Sequence, residues 1–186
     1  MFVVTKLKHM KIFNIICLGF IIIFFSCKKE NQGEKPKLSP NHWGESSAQR
    51  NGLSWTADPV CWIDIVDHST MLIELDSSIN GYFLTESLTF HEVPAMTGSY
   101  DIFKLNGSDD RKADAHLYFW ESDVPLGLYH VLEGYPNQLT ISSYDTISKE
   151  VKGTFTLTLL VDHRPYPGAP DTIRFTNGQF HGRLYK

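Results

Sequence analysis

Thr154-Phe155-Thr156-Leu157-Thr158-Leu159 alternates hydroxyl-bearing and apolar side chains with period two. Successive side chains of an extended chain point to opposite faces. Phe155, Leu157, Leu159 and Val161 therefore share one face, and the three threonines share the other. This is the pattern of a half-buried strand, and it sets the reading of what surrounds it. Similar short runs occupy 53–57, 60–66, 71–75, 81–85, 88–93, 99–105, 116–121, 128–132, 138–144, 172–176 and 179–185, none with helical period. Turn chemistry separates them at Asn80-Gly81, Asn106-Gly107, Pro136-Asn137 and Asn177-Gly178. Many short strands without helices to cover a parallel sheet imply antiparallel pairing. The expected fold is all-β, an antiparallel β-sandwich, with a closed or partly open lipocalin-like β-barrel as the alternative.

Two local readings refine this. Asn177-Gly178, between Phe175 and Phe180, suits a two-residue type I′ hairpin, with a bulge that continues the same strand as the alternative. Within His116-Leu117-Tyr118-Phe119-Trp120 both faces are apolar, which predicts a central strand.

The N-terminus has a different logic. Residues 12–25 are an apolar run of 14, preceded by Lys6, Lys8 and Lys11 and followed by Ser26-Cys27 and then Lys28, Lys29 and Glu30. Crossing a bilayer as a helix takes about 20 residues, so the run is too short for a span. A basic region, an apolar stretch and a small residue before cysteine are instead the parts of a secretory lipoprotein signal, with Cys27 as the lipid-attachment residue. The expected organisation is a signal peptide over 1–26, with Met10 as a second candidate start, then a flexible tether over 27–51 and an antiparallel β domain over 52–186. Phe24 stands where such signals most often carry leucine. The tether is rich in Pro, Gly, Ser and mixed charge; it is too poor in apolar groups to offset the entropy of ordering it. As a coil it would hold the domain roughly 25 to 30 Å from the membrane. Lipidation implies an outer-membrane protein on the periplasmic or cell-surface face, held by acyl chains rather than a helix.

Charge and cysteine content narrow the function. Removing the signal takes three lysines from 17 basic residues and leaves 14 against 21 acidic ones, a net charge of −7. Such a domain has no electrostatic footprint for a polyanion, so nucleic acid is not an expected partner. Of three cysteines, Cys17 leaves with the signal and Cys27 takes the lipid. Cys61 remains alone in an apolar run and reads as a small core residue.

Several phrases recur in order: Gly52-Leu53-Ser54-Trp55-Thr56-Ala57, Thr97-Gly98-Ser99-Tyr100, Tyr144-Asp145 before Gly153-Thr154-Phe155, and Asn177-Gly178-Gln179-Phe180. Together they resemble a family of uncharacterised Bacteroidetes lipoproteins across most of the mature domain. The resemblance implies a small all-β domain behind a lipoprotein signal, with no activity and no catalytic residues to carry over. Read as chemistry, the phrases are structural. Gly98 and Gly153 stand where chains enter strands, and Asp145 sits where a carboxylate accepts backbone hydrogen bonds in a turn.

No nucleophile elbow, phosphate loop or dinucleotide fingerprint occurs, so catalysis is not expected, with a hydrolase as the remotest alternative. The histidines show no His-x-His, no His-x-x-x-His and no cysteine pair, so neither a metal nor any other cofactor is expected. Asn106-Gly107-Ser108-Asp109-Asp110 is rich in oxygen but lacks the alternating acids of a calcium loop. Ligand binding has more behind it. Trp43, Trp55, Trp62 and Trp120, with Tyr166 in the proline-rich stretch 162–171, are candidate binding aromatics for a glycan or an apolar ligand. An envelope protein, with the chain as an assembly subunit, is the alternative partner.

Overall fold

The computed structural model describes residues 43–64, 66, 68–78, 84–104 and 112–185. The signal segment, Cys27, the tether up to residue 42, the turns at Asn80-Gly81 and Asn106-Gly107, and the run 106–110 lie outside the described residues.

The described chain is all-β, as the alternation implies. Ten strands follow one another: β1 (Gly44–Arg50), β2 (Leu53–Ile63), β3 (Thr70–Ser78), β4 (Leu84–Pro94), β5 (Gly98–Asp101), β6 (Asp114–Glu121), β7 (Val124–Val131), β8 (Gln138–Asp145), β9 (Glu150–His163) and β10 (Thr172–Tyr185). They form one sheet that closes into a ring. The circuit runs β1, β2, β3, β4, β6, β7, β9, β10 and back to β1. The 14-residue β9 exchanges neighbours along one edge, pairing with β8 through its first half and with β7 through its second, while β10 follows its other edge. β5 adds to β8. Pairings among these strands are antiparallel except for a short parallel contact of Leu184 with Cys61 and Tyr185 with Trp62.

The inward faces make one core. Phe155, Leu157 and Leu159 of β9 are buried, as the period-two reading predicts, Val161 is partly buried against them, and Val151 extends the same inward face. Phe175 is fully buried and touches two other rings, Trp55 at 5.0 Å and Phe155 at 6.2 Å, and Phe155 in turn meets Phe90 at 5.5 Å. Edge-on and tilted contacts of this kind set the positive ring edge against the negative ring face. Cys61 is fully buried, and burial pushes its thiol up to about 12, so it stays a protonated packing group.

Three sequence expectations change here. First, residues 44–50, assigned above to the tether, are β1. The inward residues Ser46 and Ala48 are small, so the strand carries almost no apolar signal. Backbone pairing to β2 on one edge and β10 on the other holds it, and Ser46 Oγ donates to the Gln179 carbonyl.

Second, the Asn-Gly hairpin lies at Asn51-Gly52, not at Asn177-Gly178. Arg50 pairs with Leu53 across the turn, and both central residues have positive φ, 50° and 80°, as a type I′ turn requires. Asn177, at φ 53°, sits within β10 as a bulge. Phe175 faces Leu157 and Gly178 faces Phe155, so β10 has one residue more than β9 between these pairs. The extra residue changes the inward phase from Ile173 and Phe175 to Gly178, Phe180, Gly182 and Leu184.

The bulge also explains why Gly153-x-Phe155 and Gly178-x-Phe180 occur together. Across the β9–β10 pair, Gly153 faces Phe180 and Phe155 faces Gly178. A Cβ on Gly153 would lie 2.6 Å from the Phe180 ring and 2.4 Å from the Thr140 carbonyl oxygen; one on Gly178 would lie 2.6 Å from the Phe155 ring. Each phenyl ring covers the partner strand's glycine, a reciprocal lock.

Third, Trp55, one of the candidate binding aromatics, is a core residue at 6 % exposure. The Asn51-Gly52 turn sets the phase that points Trp55, Ala57 and Cys61 inward. Its Nε1–H donates to Glu86 Oε1 at 2.6 Å, and Arg50 Nη1 donates to Glu86 Oε2 at 2.5 Å. The Arg50 guanidinium also stands 5.6 Å from the centre of the Phe119 ring. Burial raises the Glu86 carboxyl above the ordinary glutamate range, outweighing the opposing pull of Arg50 and Trp55. An acid with a raised folded pKa binds its proton more tightly when native. Its stabilising contribution is complete below the unfolded value of about 4.3 and is lost as pH rises through the folded value. Urea midpoints measured from about pH 4 to about pH 8 should therefore fall less steeply for Glu86→Gln than for wild type. Parallel pH profiles would remove this assignment.

Candidate functional site

The outward face of β3, β4, β6 and β7 brings together most of the chemistry that the core excludes. On β6 the inward residues are Ala115, Leu117 and Phe119, which sends Asp114, His116, Tyr118 and Trp120 outward. Register then fixes their neighbours. On β4, His91 faces Asp114, Thr89 faces His116, Ser87 faces Tyr118 and Thr85 faces Trp120. On β3, Glu74 faces Thr89 and Asp76 faces Ser87. On β7, His130 faces His116 and Leu128 faces Tyr118.

The rings form a continuous column. His91 and His116 have centroids 5.7 Å apart, His116 and Tyr118 5.9 Å, and Tyr118 and Trp120 5.5 Å with planes tilted by 32°. A column of hydroxyls lies beside it on β4, and carboxylates lie beyond on β3. Ser87 Oγ donates to Glu74 Oε1 at 2.8 Å, which links the two columns. Ser87 and Thr89 are themselves buried, so this face presents the half-buried rings of His116, Tyr118 and Trp120 for apolar contact, with the half-buried Thr85, Glu74 and Asp76 alongside.

At one end of the column His91, Asp114 and His116 converge, each with a ligand atom within 4.8 Å of the others. Asp114 and His116 are neighbours of one strand face at i and i+2, and His91 reaches them through the register. Beside His91, Glu92 has φ 51° and takes up a bulge, because Met71 pairs with Val93 and Ile73 with Phe90. Bulges re-aim side chains and are frequent next to functional sites. The segment after β5 runs alongside, with Phe103 N–H donating to the Ala113 carbonyl. Asp114 is only 3 % exposed, yet among the described residues its Oδ1 has no hydrogen-bond partner, and neither does His116 Nδ1, 3.7 Å away. Burial raises the Asp114 carboxyl and lowers the His116 imidazole, so burial disfavours the charged form of both groups, against their mutual attraction.

The other candidate aromatics lie elsewhere. Trp120 belongs to the column. Trp43 meets His181 edge-on at 5.0 Å and has the Arg183 guanidinium 6.0 Å from its ring, whereas Trp62 packs against Tyr185 at 5.6 Å. Both tryptophans thus flank the outward side of β10, away from the β6 column. Tyr166 lies in the connection between β9 and β10, 6.4 Å from the Phe119 ring. That connection is tied down: Tyr129 Oη donates to the Pro170 carbonyl at 2.7 Å, and Arg164 bonds the Ala169 carbonyl and Asp171. It is a stiff hairpin connection with Ala169 buried. Asp145 behaves as a turn residue, its Oδ1 accepting from the Ile147 and Ser148 amides, which hold its carboxyl below the usual range.

A cleft of about 300 Å³ opens at the β10 bulge, lined by Gln138, Thr140, Thr154, Thr156, Asn177 and Gln179 among others. Its lining offers hydrogen bonds but no acid, base or metal ligand.

His91, Asp114 and His116 form no short histidine motif, so the sequence carries no expectation of metal ligands there; the two histidines come from different strands. The local signal was Asp114-Ala115-His116, two potential ligands on one face of a strand; the third depends on which strand pairs with β6. No protein-family model, curated protein or solved structure matches this chain.

Proposed function

We propose that this chain is a lipoprotein of the Bacteroidetes type, lipidated at Cys27 and tethered to the outer membrane, whose β domain binds a glycan without chemical turnover. The short apolar run ahead of Ser26-Cys27 and the acidic balance of the mature chain support the tethered, extracytoplasmic part of this reading. The observation that carries the binding part is the column of half-buried rings of His116, Tyr118 and Trp120, with Thr85 of β4 and the carboxylates of Glu74 and Asp76 of β3 on the same face. Sugars present apolar C–H faces rimmed by hydroxyl groups. Aromatic rings suit the first, and oxygen acceptors and donors suit the second.

Calorimetric titration of the full chain against a panel of oligosaccharides, including envelope glycans, tests the reading. At least one should bind, and Trp120→Ala should weaken it about tenfold, equivalent to about 1.4 kcal/mol. Indifference to every sugar, or equal affinity with and without the Trp120 ring, would remove the glycan reading.

A further inference from the structure

The cluster at the end of the β6 column has a different chemistry from the rest of that face. We propose that His91, Asp114 and His116 form a binding site for a divalent first-row transition metal ion, with zinc as the reference case. Three observations support it, and none depends on the glycan reading.

The donor set comes first. Two imidazoles and one carboxylate suit zinc and its neighbours, whereas calcium and magnesium take mostly oxygen ligands in larger number. Three protein ligands leave at least one coordination position for water or for an oxygen of a bound molecule.

Spacing comes second. Asp114 Oδ1 and His116 Nδ1 are 3.7 Å apart, too far for a hydrogen bond and therefore not explained by a shared proton. Two donors each about 2.1 Å from a tetrahedral ion stand roughly 3.4 Å apart, close to the separation seen here. The ligand atoms of all three residues fall within 4.8 Å of one another, so modest side-chain rotation brings them onto one ion.

Unsatisfied burial comes third. A carboxylate oxygen on a residue 3 % exposed and an imidazole nitrogen beside it both lack a hydrogen-bond partner among the described residues. Buried polar atoms are nearly always paired, and a cation between these two would satisfy both at once. The Glu92 bulge adds a structural reason for the convergence. It holds a non-glycine residue in the left-handed region next to His91, a conformation that persists only where the surroundings impose it.

The experiment uses the full chain in detergent, prepared without a polyhistidine tag and stripped with a chelator. Equilibrium dialysis against Zn²⁺ followed by elemental analysis should find one tightly held ion per chain. Co²⁺ should give a visible ligand-field spectrum with an imidazole-containing set. His91→Ala, at one of the two partly exposed members, and Asp114→Asn, which keeps the side-chain shape, should each weaken binding at least tenfold. Thermal melting of the metal-free variants establishes that they remain folded. Zn²⁺ at about 100 times its dissociation constant should raise the wild-type midpoint by roughly 5 °C or more, with no comparable rise in either variant. Trp120→Ala should retain the ion, which separates this site from the glycan reading. No stoichiometric ion in wild type, or undiminished binding in both folded variants, overturns the proposal.

Discussion

Gly153→Val is expected to destabilise the fold by about 3 kcal/mol, the upper part of the range for overpacking a filled core. The added Cβ falls 2.4 Å from the Thr140 carbonyl oxygen and 2.6 Å from the Phe180 ring, so relief requires β8 or the ring to move. β8 is held to β9 along seven paired residues, and Phe180 is 4 % exposed, so neither gives way cheaply. Urea denaturation measures the loss. Phe180→Ala in the same background should recover part of it, because the ring is one of the two obstacles. Additive effects in that double-mutant cycle would mean the ring does not seat on the glycine. A valine tolerated within a few tenths of a kcal/mol would sink the lock as described.

Phe175→Ala is expected to cost about 4 kcal/mol, in line with removing a fully buried phenyl ring from a core that cannot collapse around the void. Phe175 links Trp55 on β2 to Phe155 on β9. Both neighbours lie in strands fixed on two edges, which limits relaxation into the gap. Against a typical domain stability of about 5 to 15 kcal/mol, this loss threatens folding at growth temperature. The same urea series reads it, and Phe175→Leu should recover more than half by refilling most of the volume. A cost near 1 kcal/mol for the alanine variant would show that the aromatic cluster is more plastic than its packing implies.

The strands of this fold were legible wherever one face is apolar. β9 alternates Thr with Phe and Leu, and its inward Phe155, Leu157 and Leu159 are buried, although Thr158 on the other face is buried as well. β1 was not legible, because Ser46 and Ala48 face inward and neither announces a core. Asn51-Gly52 and Asn177-Gly178 have the same local turn chemistry, which cannot separate them. What separates them is the phase of the flanking apolar residues, since Ile173 and Phe175 are odd-numbered and Phe180 and Leu184 even-numbered, a flip that a bulge within one strand accommodates.

The aromatic inventory was legible as composition but not as location. Trp55 and Trp120 both lie in strands, and only knowledge of which face is interior puts one in the core and the other on the surface. The metal-like cluster was half legible. Asp114 and His116 share a face by simple alternation, but His91 joins them because β4 pairs with β6 and a bulge adjusts its neighbourhood. Which strands pair, and in what register, is decided by the whole sheet and not by any one segment.

The seam of the ring is made by the strands farthest apart in sequence. Ser46 on β1 bonds to Gln179 on β10 across 133 residues of chain. Until the tenth strand arrives, β1 and β9 each keep a bare edge, and bare edges recruit whatever extended peptide is nearby. A growing polypeptide therefore cannot finish folding piecemeal, and its last step is a slow, distant closure. During that interval the chain depends on being kept apart from its own copies.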